Sequence, residues 1–223
     1  MKSPISIEIY SDVVCPWCYI GKRRVEQALE RIRERYAATM PVWLAFQLNP
    51  DLPAEGVARK DYVEQKFGGA QRAKDIYARV TGAGASVGIP FAFERIERQP
   101  NTINAHRLIR YAGAHDMQDA VVEALFRAFF LDVRDIGDMA ALADVAVESG
   151  LNREAVQRYL QSTEGADEVR SEDASARQLG ISGVPFFVFA GKYAVSGAQE
   201  AEVLVQAYEQ AASEASDVSV VDA

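Results

Sequence analysis

The chain of 223 residues contains two cysteines, Cys15 and Cys18, which are separated by Pro16 and Trp17. Two cysteines at this spacing on a helical turn bring their Cα atoms to about 5–6 Å, a separation that a disulfide tolerates. The pair could therefore alternate between a dithiol and a disulfide and exchange electrons with other thiols. We interpret Cys15 as the exposed, attacking thiol and Cys18 as the shielded thiol that resolves a mixed disulfide.

Two other roles for the cysteine pair agree less well with the sequence. A structural zinc site needs two more ligands, and the candidates are His106 and His115, about ninety residues downstream. Inert buried thiols are disfavoured by the Pro-Trp pair between the cysteines and by the apolar strand pattern before them. We therefore expect a redox-active pair and no bound metal.

A strand pattern precedes the cysteines and a helical pattern follows them. Residues 5–10 alternate at period two, and Val25, Ala28 and Ile32 repeat at helical spacing. The pair is thus predicted at the first turn of a helix, where free N–H groups and the helix dipole stabilise a thiolate at Cys15. A proline suits this turn, because the N–H that it lacks is not needed there.

The composition is that of a globular chain with material for a sizeable core. With 49% hydrophobic residues, the chain allows one elaborated domain or a small domain that carries an insertion. A formal net charge of −8 argues against nucleic acid or an anionic membrane as a partner. No apolar run has the length of a membrane span, and the first residues lack the apolar segment of a signal peptide. We expect a cytoplasmic protein, in which a cysteine pair is more often catalytic than structural.

The middle of the chain is predicted to be helical. A second strand within 40–48 completes a βαβ unit, which is parallel and right-handed by default. From 58 to 179 there is almost no strand signal. Helical patterns punctuated by glycines are found at 59–67, 71–82, 101–113, 117–131, 138–149, 152–161 and 164–179.

The end of the chain returns to strands and a helix. Apolar runs at 184–189 and 192–196 flank an Ala-Gly turn and predict a hairpin. A helix at 199–212 follows, and 213–223 has no periodicity and is predicted to be a flexible tail.

This order of elements predicts an α/β fold of the thioredoxin-like kind, βαβ followed by ββα, with an all-helical insertion. The thioredoxin-like domain would be discontinuous, formed by 1–57 and 180–212, and the insertion would span 58–179.

Six segments carry a family resemblance that covers most of the chain: Ser11 to Arg23, Phe46 to Pro50, Asn101 to Leu108, Arg134 to Asp138, Gly183 to Phe189 and Tyr193 to Gln199. In these segments the sequence resembles the DsbA-like thioredoxin superfamily, specifically its cytoplasmic FrnE-type branch. The resemblance implies a thiol–disulfide oxidoreductase whose helical insertion packs over the dithiol.

The resemblance also implies a cis peptide bond between Val184 and Pro185, facing the dithiol. On the residues alone a trans bond is the default, since only about 5–6% of X–Pro bonds in folded proteins are cis. In related folds the residue before this proline pairs through its backbone with an extended substrate peptide. Val184 is accordingly a candidate substrate-binding residue, whatever its side chain.

Four further residues are candidates for a role at the site. His106 lies at the edge of an apolar stripe, so a core histidine bonded to a carbonyl is the simpler interpretation. The resemblance brings the helix of Asn101 and His106 near the active site and suggests substrate binding for both. Asp12, three residues before Cys15, could tune the thiol as a nearby carboxylate, but capping or hydrogen-bonding its loop is the simpler interpretation. Trp17 could form an apolar platform beside Cys15 or pack against the insertion.

Three functions are compatible with these features. The first is thiol–disulfide exchange with a protein or small-molecule substrate, without a tightly bound cofactor. The second is a glutathione-dependent isomerase or transferase, similar to the 2-hydroxychromene-2-carboxylate isomerases and kappa-class glutathione transferases. Those enzymes generally carry serine at the position of Cys15, so two retained cysteines favour redox chemistry, with glutathione as a candidate co-substrate. The third is a non-catalytic binding or chaperone module that uses the insertion.

Overall fold

A four-stranded mixed sheet joins the two ends of the chain in the computed structural model, which describes residues 3–37 and 39–218. Strand β1 (Ile7–Ser11) pairs in parallel with β2 (Val42–Ala45). On its other side β1 pairs antiparallel with β5 (Phe186–Phe189), which pairs antiparallel with β6 (Tyr193–Ser196). The order β2-β1-β5-β6 leaves β2 and β6 at the edges.

Two helices complete this thioredoxin-like part. Helix α1 (Pro16–Ile32) connects β1 to β2, and α9 (Ala201–Val218) packs against α1, β5 and β6. Their apolar faces and the strands share one buried cluster that includes Ile7, Ile9, Ile20, Val25, Phe187, Phe189 and Leu204. The predicted βαβ and ββα units are therefore confirmed.

The predicted hairpin is also confirmed. Ala190 and Gly191 both have positive φ, 52° and 65°, which matches a type I′ turn. The Lys192 N–H donates to the Phe189 carbonyl at 3.1 Å and closes the turn.

The segment between β2 and β5 is mainly helical. Its helices are α2 (Arg59–Phe67), α3 (Ala70–Ala85), α4 (Ile103–Gly113), α5 (Gln118–Phe130), α6 (Met139–Glu148), α7 (Arg153–Gln161) and α8 (Ala166–Gln178). The prediction of an all-helical insertion is wrong in one detail. A short strand β3 (Val57–Ala58) pairs antiparallel with a second short strand, β4 (Arg98–Gln99). Strands this short contain too few positions for an alternating pattern, and their pairing is non-local.

Helix α5 forms the centre of the insertion, as its broad apolar face predicts. Val121, Leu125 and Phe126 are completely buried. The Tyr19 ring of α1 stacks on Phe126 with 4.9 Å between ring centroids, so the insertion and the thioredoxin-like part share one core. No helix in the described part of the chain is both long enough and apolar enough to cross a membrane.

Helix α9 continues beyond its predicted end. Residues 213–218, predicted as part of a flexible tail, are helical, and 219–223 lie outside the described residues. Glu214 accepts hydrogen bonds from Lys192 and Tyr193, which connect α9 to the hairpin. Local periodicity could not show this contact, because the partners belong to another element.

Candidate active site

The dithiol lies at the junction of β1 and α1, as predicted. Cys15 is the residue immediately before α1, and Pro16 is the first residue of the helix. The Cys15 carbonyl accepts a hydrogen bond from the Cys18 N–H at 3.0 Å, so both cysteines belong to the first turn. The Cys15 N–H donates to the Asp12 carbonyl at 2.9 Å, which fixes the loop before the helix.

Both thiols are buried. Cys15 is 5% exposed and Cys18 is 0% exposed. The prediction of an exposed Cys15 is wrong, because the Val184 carbonyl, from a distant part of the chain, accepts a hydrogen bond from its Sγ at 3.5 Å. Cys15 is nevertheless the more accessible of the two.

The protein environment keeps Cys18 in its thiol form. Burial raises the pKa of Cys18 well above its ordinary value, and the nearby Cys15 sulfur raises it further. The Ser11 hydroxyl and the Asp12 backbone N–H act in the opposite direction but do not outweigh burial. Since the thiolate is the reactive form, Cys18 can react only after its proton has been removed.

A cis peptide bond between Val184 and Pro185 forms one wall of the site, which confirms the expectation from the resemblance. Helix α1 approaches this wall closely at Gly21. A Cβ at Gly21 would lie 2.9 Å from Pro185 Cγ and 3.2 Å from Phe187 Cζ. Sequence reasoning missed this role of Gly21, although a glycine inside a helical pattern often marks a packing constraint.

Trp17 is the most exposed residue of the segment from Cys15 to Cys18. Its side chain is 38% exposed, whereas both cysteines are buried. This exposure favours the interpretation of Trp17 as a platform beside the thiol over packing against the insertion.

His106 and Asp12 meet next to the dithiol. Asp12 is 0% exposed and His106 is 3% exposed. Asp12 Oδ2 accepts a hydrogen bond from the Leu48 N–H at 2.7 Å, and Oδ1 lies 3.4 Å from His106 Nε2. His106 therefore faces a carboxylate, whereas the simpler interpretation placed its ring against a backbone carbonyl.

Asn101 is engaged by the protein itself. Its side chain donates to the Leu52 carbonyl at 2.7 Å and accepts from the Ile103 N–H at 3.0 Å. Gln47 Nε2 adds a third contact at 3.3 Å. These contacts connect the loop after β2 to the start of α4, so Asn101 positions backbone near the site.

Tyr62 of α2 is another residue of the insertion near the site, and sequence reasoning missed it. Burial raises the pKa of Tyr62, and the charges of Asp12 and Cys15 add to this effect. A hydrogen bond from Asn49 Nδ2 to the Tyr62 hydroxyl, at 3.4 Å, and the charge of Arg59 lower the pKa, each more strongly than Asp12 or Cys15 raises it. The phenol is thus within electrostatic reach of both Asp12 and Cys15.

The fold and the dithiol opposite a cis-proline define a thioredoxin-like protein of the oxidoreductase class. The chain belongs to the DSBA-like thioredoxin domain family, whose model matches residues 6–209. Its sequence is 34% identical to that of a probable DsbA oxidoreductase from Streptomyces coelicolor. The crystal structure of that protein matches this one with a TM-score of 0.85, over 93% of this chain and 89% of that one. It is also 25% identical to the uncharacterised protein YwbO of Bacillus subtilis, over 91% of this chain and 95% of that protein.

Two more distant structures show the fold alone. A 2-hydroxychromene-2-carboxylate isomerase is 16% identical with a TM-score of 0.67, over 95% of this chain and 98% of that one. The cytosolic disulfide reductase DsbM from Pseudomonas aeruginosa, solved with glutathione, is 16% identical with a TM-score of 0.63, over 96% and 98% of the two chains.

Proposed function

We propose that this protein is a thiol–disulfide oxidoreductase that exchanges disulfides with protein or small-molecule thiols through Cys15 and Cys18. One observation carries the proposal: the dithiol occupies the first turn of α1, with the Cys15 sulfur 3.5 Å from the Val184 carbonyl beside a cis-proline. Membership of the DSBA-like family and the likeness to the Streptomyces coelicolor protein support it.

The exchange has two steps. The Cys15 thiolate attacks one sulfur of a substrate disulfide, forms a mixed disulfide and releases the first substrate thiolate. Cys18 then loses its proton and attacks the Cys15 sulfur, which forms the Cys15–Cys18 disulfide and releases the second thiolate. Two electrons pass from the dithiol to the substrate, and the two protons lost by the cysteines are balanced by those taken up by the released thiolates.

Val184 and Trp17 are proposed to receive the substrate. The Val184 carbonyl already faces the Cys15 sulfur, so a peptide that pairs with this backbone would bring its own sulfur beside Cys15. The exposed indole of Trp17 adds apolar surface next to the same thiol. His106 and Asn101 are not proposed as direct substrate contacts, because both side chains face protein groups.

We propose a cytoplasmic location and a reducing direction of exchange. Both cysteines belong to one motif and leave no cysteine for a structural disulfide, which is compatible with a reducing compartment. At a glutathione poise of roughly −220 to −320 mV, an oxidising dithiol is held mainly in its reduced form and delivers electrons. DsbM, the fold neighbour solved with glutathione, supports glutathione as the co-substrate that returns the disulfide to a dithiol.

Reduction of insulin disulfides by glutathione tests the proposal. We expect activity in the wild-type protein, none in Cys15→Ser, and accumulation of a mixed disulfide with Cys18→Ser, detected by mass spectrometry. His115→Asn, a change on an exposed residue, serves as the control and retains full activity. Full activity in Cys15→Ser would contradict the proposal. Tight glutathione binding without any exchange would favour the isomerase or transferase alternative.

A further inference from the structure

A cavity of 440 Å³ lies between the edge strand β2 and helices α4, α7 and α8. Its wall includes Trp43, Ala45, His106, Arg110, Tyr159 and Glu172. His106 is the member of this wall that also faces the loop before the dithiol, because its Nε2 lies 3.4 Å from Asp12 Oδ1.

The contact between His106 and Asp12 is electrostatic. Neither His106 Nε2 nor Asp12 Oδ1 has a hydrogen-bond partner among the described residues. Both side chains are almost fully buried, so these two atoms depend on each other for compensation of their polarity or charge. A change of the charge on His106 therefore changes the field around the Asp12 carboxylate.

Asp12 in turn touches both cysteines through its backbone. Its carbonyl accepts a hydrogen bond from the Cys15 N–H at 2.9 Å. Its N–H lies beside the Cys18 sulfur and acts to lower the pKa of that thiol. The carboxylate is held by the Leu48 N–H at 2.7 Å, so a continuous path of contacts runs from the cavity through His106 and Asp12 to the dithiol.

We propose that His106 is a positioning residue for the dithiol, which couples the cavity beside β2 to Cys15 and Cys18 through Asp12. This inference rests on the proposed function. A protonated His106 compensates the negative charge of Asp12, and a thiolate at Cys15 then forms against less repulsion. A neutral His106 leaves the carboxylate charge uncompensated and makes the thiolate less favourable.

The other charged and titratable groups around His106 agree with this coupling. They are Arg107, Arg110 and Tyr111 on α4, Tyr159 on α7, Glu164 in the loop before α8, and Glu168 and Glu172 on α8. Arg110 is paired with Glu172 at 2.8 Å, and Arg107 donates to backbone carbonyls at the end of α7. Glu164 and Glu168 are exposed at the cavity, so solvent screens their charges.

The test uses a protein with a single thiol. Cys18→Ser leaves Cys15 as the one cysteine of the chain, and its rate of alkylation by iodoacetamide is measured from pH 5 to pH 9. We expect two ionisations in this profile, one of the thiol and one of His106. Adding His106→Asn should leave one ionisation and reduce the rate at acidic pH by about threefold to tenfold. The same change at the only other histidine, His115→Asn, should leave both ionisations.

Asp12→Asn tests the coupling from the other side. The amide oxygen can still accept from the Leu48 N–H, whereas the charge is lost. We expect one ionisation and a higher alkylation rate near neutral pH, and this arm decides the question if the His106 variant does not fold. Profiles of both variants that superimpose on that of the Cys18→Ser parent would overturn the inference.

Imidazole tests the access through the cavity. His106→Ala in the Cys18→Ser protein removes a ring that lines the cavity, so imidazole in the buffer should restore the second ionisation. A pH profile that does not change when imidazole is added would overturn the role of the cavity.

The alkylation test is independent of the proposed function, because alkylation needs no substrate disulfide. An unchanged pH profile together with normal insulin reduction therefore rejects this inference alone. Intact coupling without insulin reduction rejects the proposed function instead.

Discussion

The two sides of the dithiol are built from different parts of the polypeptide. On the side of the sheet it faces the Val184 carbonyl and the Pro185 ring, and Gly21 lets helix α1 come close to that ring. On a second side the loop before it contains the buried polar side chain of Asp12, which faces His106. On the first side, backbone and ring atoms are in close contact, so there is no room for a larger side chain at Gly21. On the second side, the contact depends on the chemical identity of Asp12 and His106.

Polar side chains of the insertion also bind the backbone of the edge strand β2. An edge strand presents backbone N–H and C=O groups that need partners. The Gln118 side chain accepts from the Trp43 N–H at 3.0 Å and donates to the Trp43 carbonyl at 3.1 Å. Asp173 accepts from the Gln47 N–H, just after β2, at 2.8 Å. Side chains of the insertion thus take the place of a further strand.

The comparison leads to a rule for substitutions. Where buried polar side chains of the insertion hold the structure, loss of one of them should leave buried partners unsatisfied and should destabilise the protein strongly. On the side of the sheet, even one added methyl group should be harmful where the space is filled.

The largest expected effect is the loss of Arg107. Its guanidinium is buried and donates to the carbonyls of Tyr159, Leu160, Ser162 and Glu164. We expect Arg107→Ala to lower the free energy of unfolding by about 3 kcal/mol, because several buried acceptors lose a charged donor. Urea denaturation measures the change.

Arg110→Ala is the matched control on the same helix. Arg110 is 46% exposed and pairs with Glu172, so its loss should cost at most about 1 kcal/mol. Equal losses of unfolding free energy in the two variants would contradict a special contribution of the buried Arg107 guanidinium.

The next effect tests space on the side of the sheet. Gly21→Ala should lower the free energy of unfolding by about 1–2 kcal/mol, because the new Cβ meets Pro185 at 2.9 Å. Gly82→Ala in α3 is the control, since its Cβ meets no atom within 4 Å. There the better helix propensity of alanine should stabilise the protein by up to about 1 kcal/mol. A gain at both glycines would refute the close approach of α1 to Pro185.

A smaller effect is expected at Asp173, which satisfies the chain after β2. Asp173→Ala leaves the Gln47 N–H without its acceptor and should cost about 1–2 kcal/mol. Faster hydrogen exchange of the Gln47 amide would locate the effect at that contact. Asp167→Ala changes an exposed aspartate of the same helix and should leave both readouts unaltered. Unchanged exchange in Asp173→Ala would contradict the proposed role of this side chain.

Most of the fold could be predicted because its signals are local. The alternation before Cys15, the apolar stripe of α1 and the broad apolar face of α5 depend on residues within one element. The placement of Cys15 and Cys18 at the first turn of a helix followed from the same patterns. The cis bond before Pro185 came from the family resemblance instead, since nothing local distinguishes it from a trans bond.

The remaining features depend on contacts between distant segments. The Cys15 sulfur contacts the Val184 carbonyl and the Asp12 carboxylate contacts His106, and both partners are far away in the chain. Their residue types could be noted in the sequence, but their partners could not. The same holds for the short pairing of β3 with β4.

The smallest expected effect concerns the opposite edge of the sheet, where Glu214 connects α9 to β6. Hydrogen bonds from Lys192 and Tyr193 lower the pKa of Glu214 from 4.5 to about 2. A lowered pKa means that the carboxylate stabilises the folded state fully above pH 4.5 and loses this contribution as the pH falls towards 2. Because the contact is exposed to solvent, its contribution should be the weakest of this series.

Two measurements check the contact at Glu214. The carboxyl carbon of Glu214, followed by NMR, should titrate with a midpoint near 2, and Tyr193→Phe should move this midpoint upwards because one donor is lost. Glu214→Gln should reduce the urea midpoint slightly at neutral pH, and the difference from the wild-type protein should shrink as the pH falls below 4.5. A titration midpoint of 4.5 in the wild-type protein would mean that the end of α9 does not engage the hairpin in solution. In that case polar side chains would hold the sheet at the β2 edge alone, and the helical continuation to Val218 would need another cause.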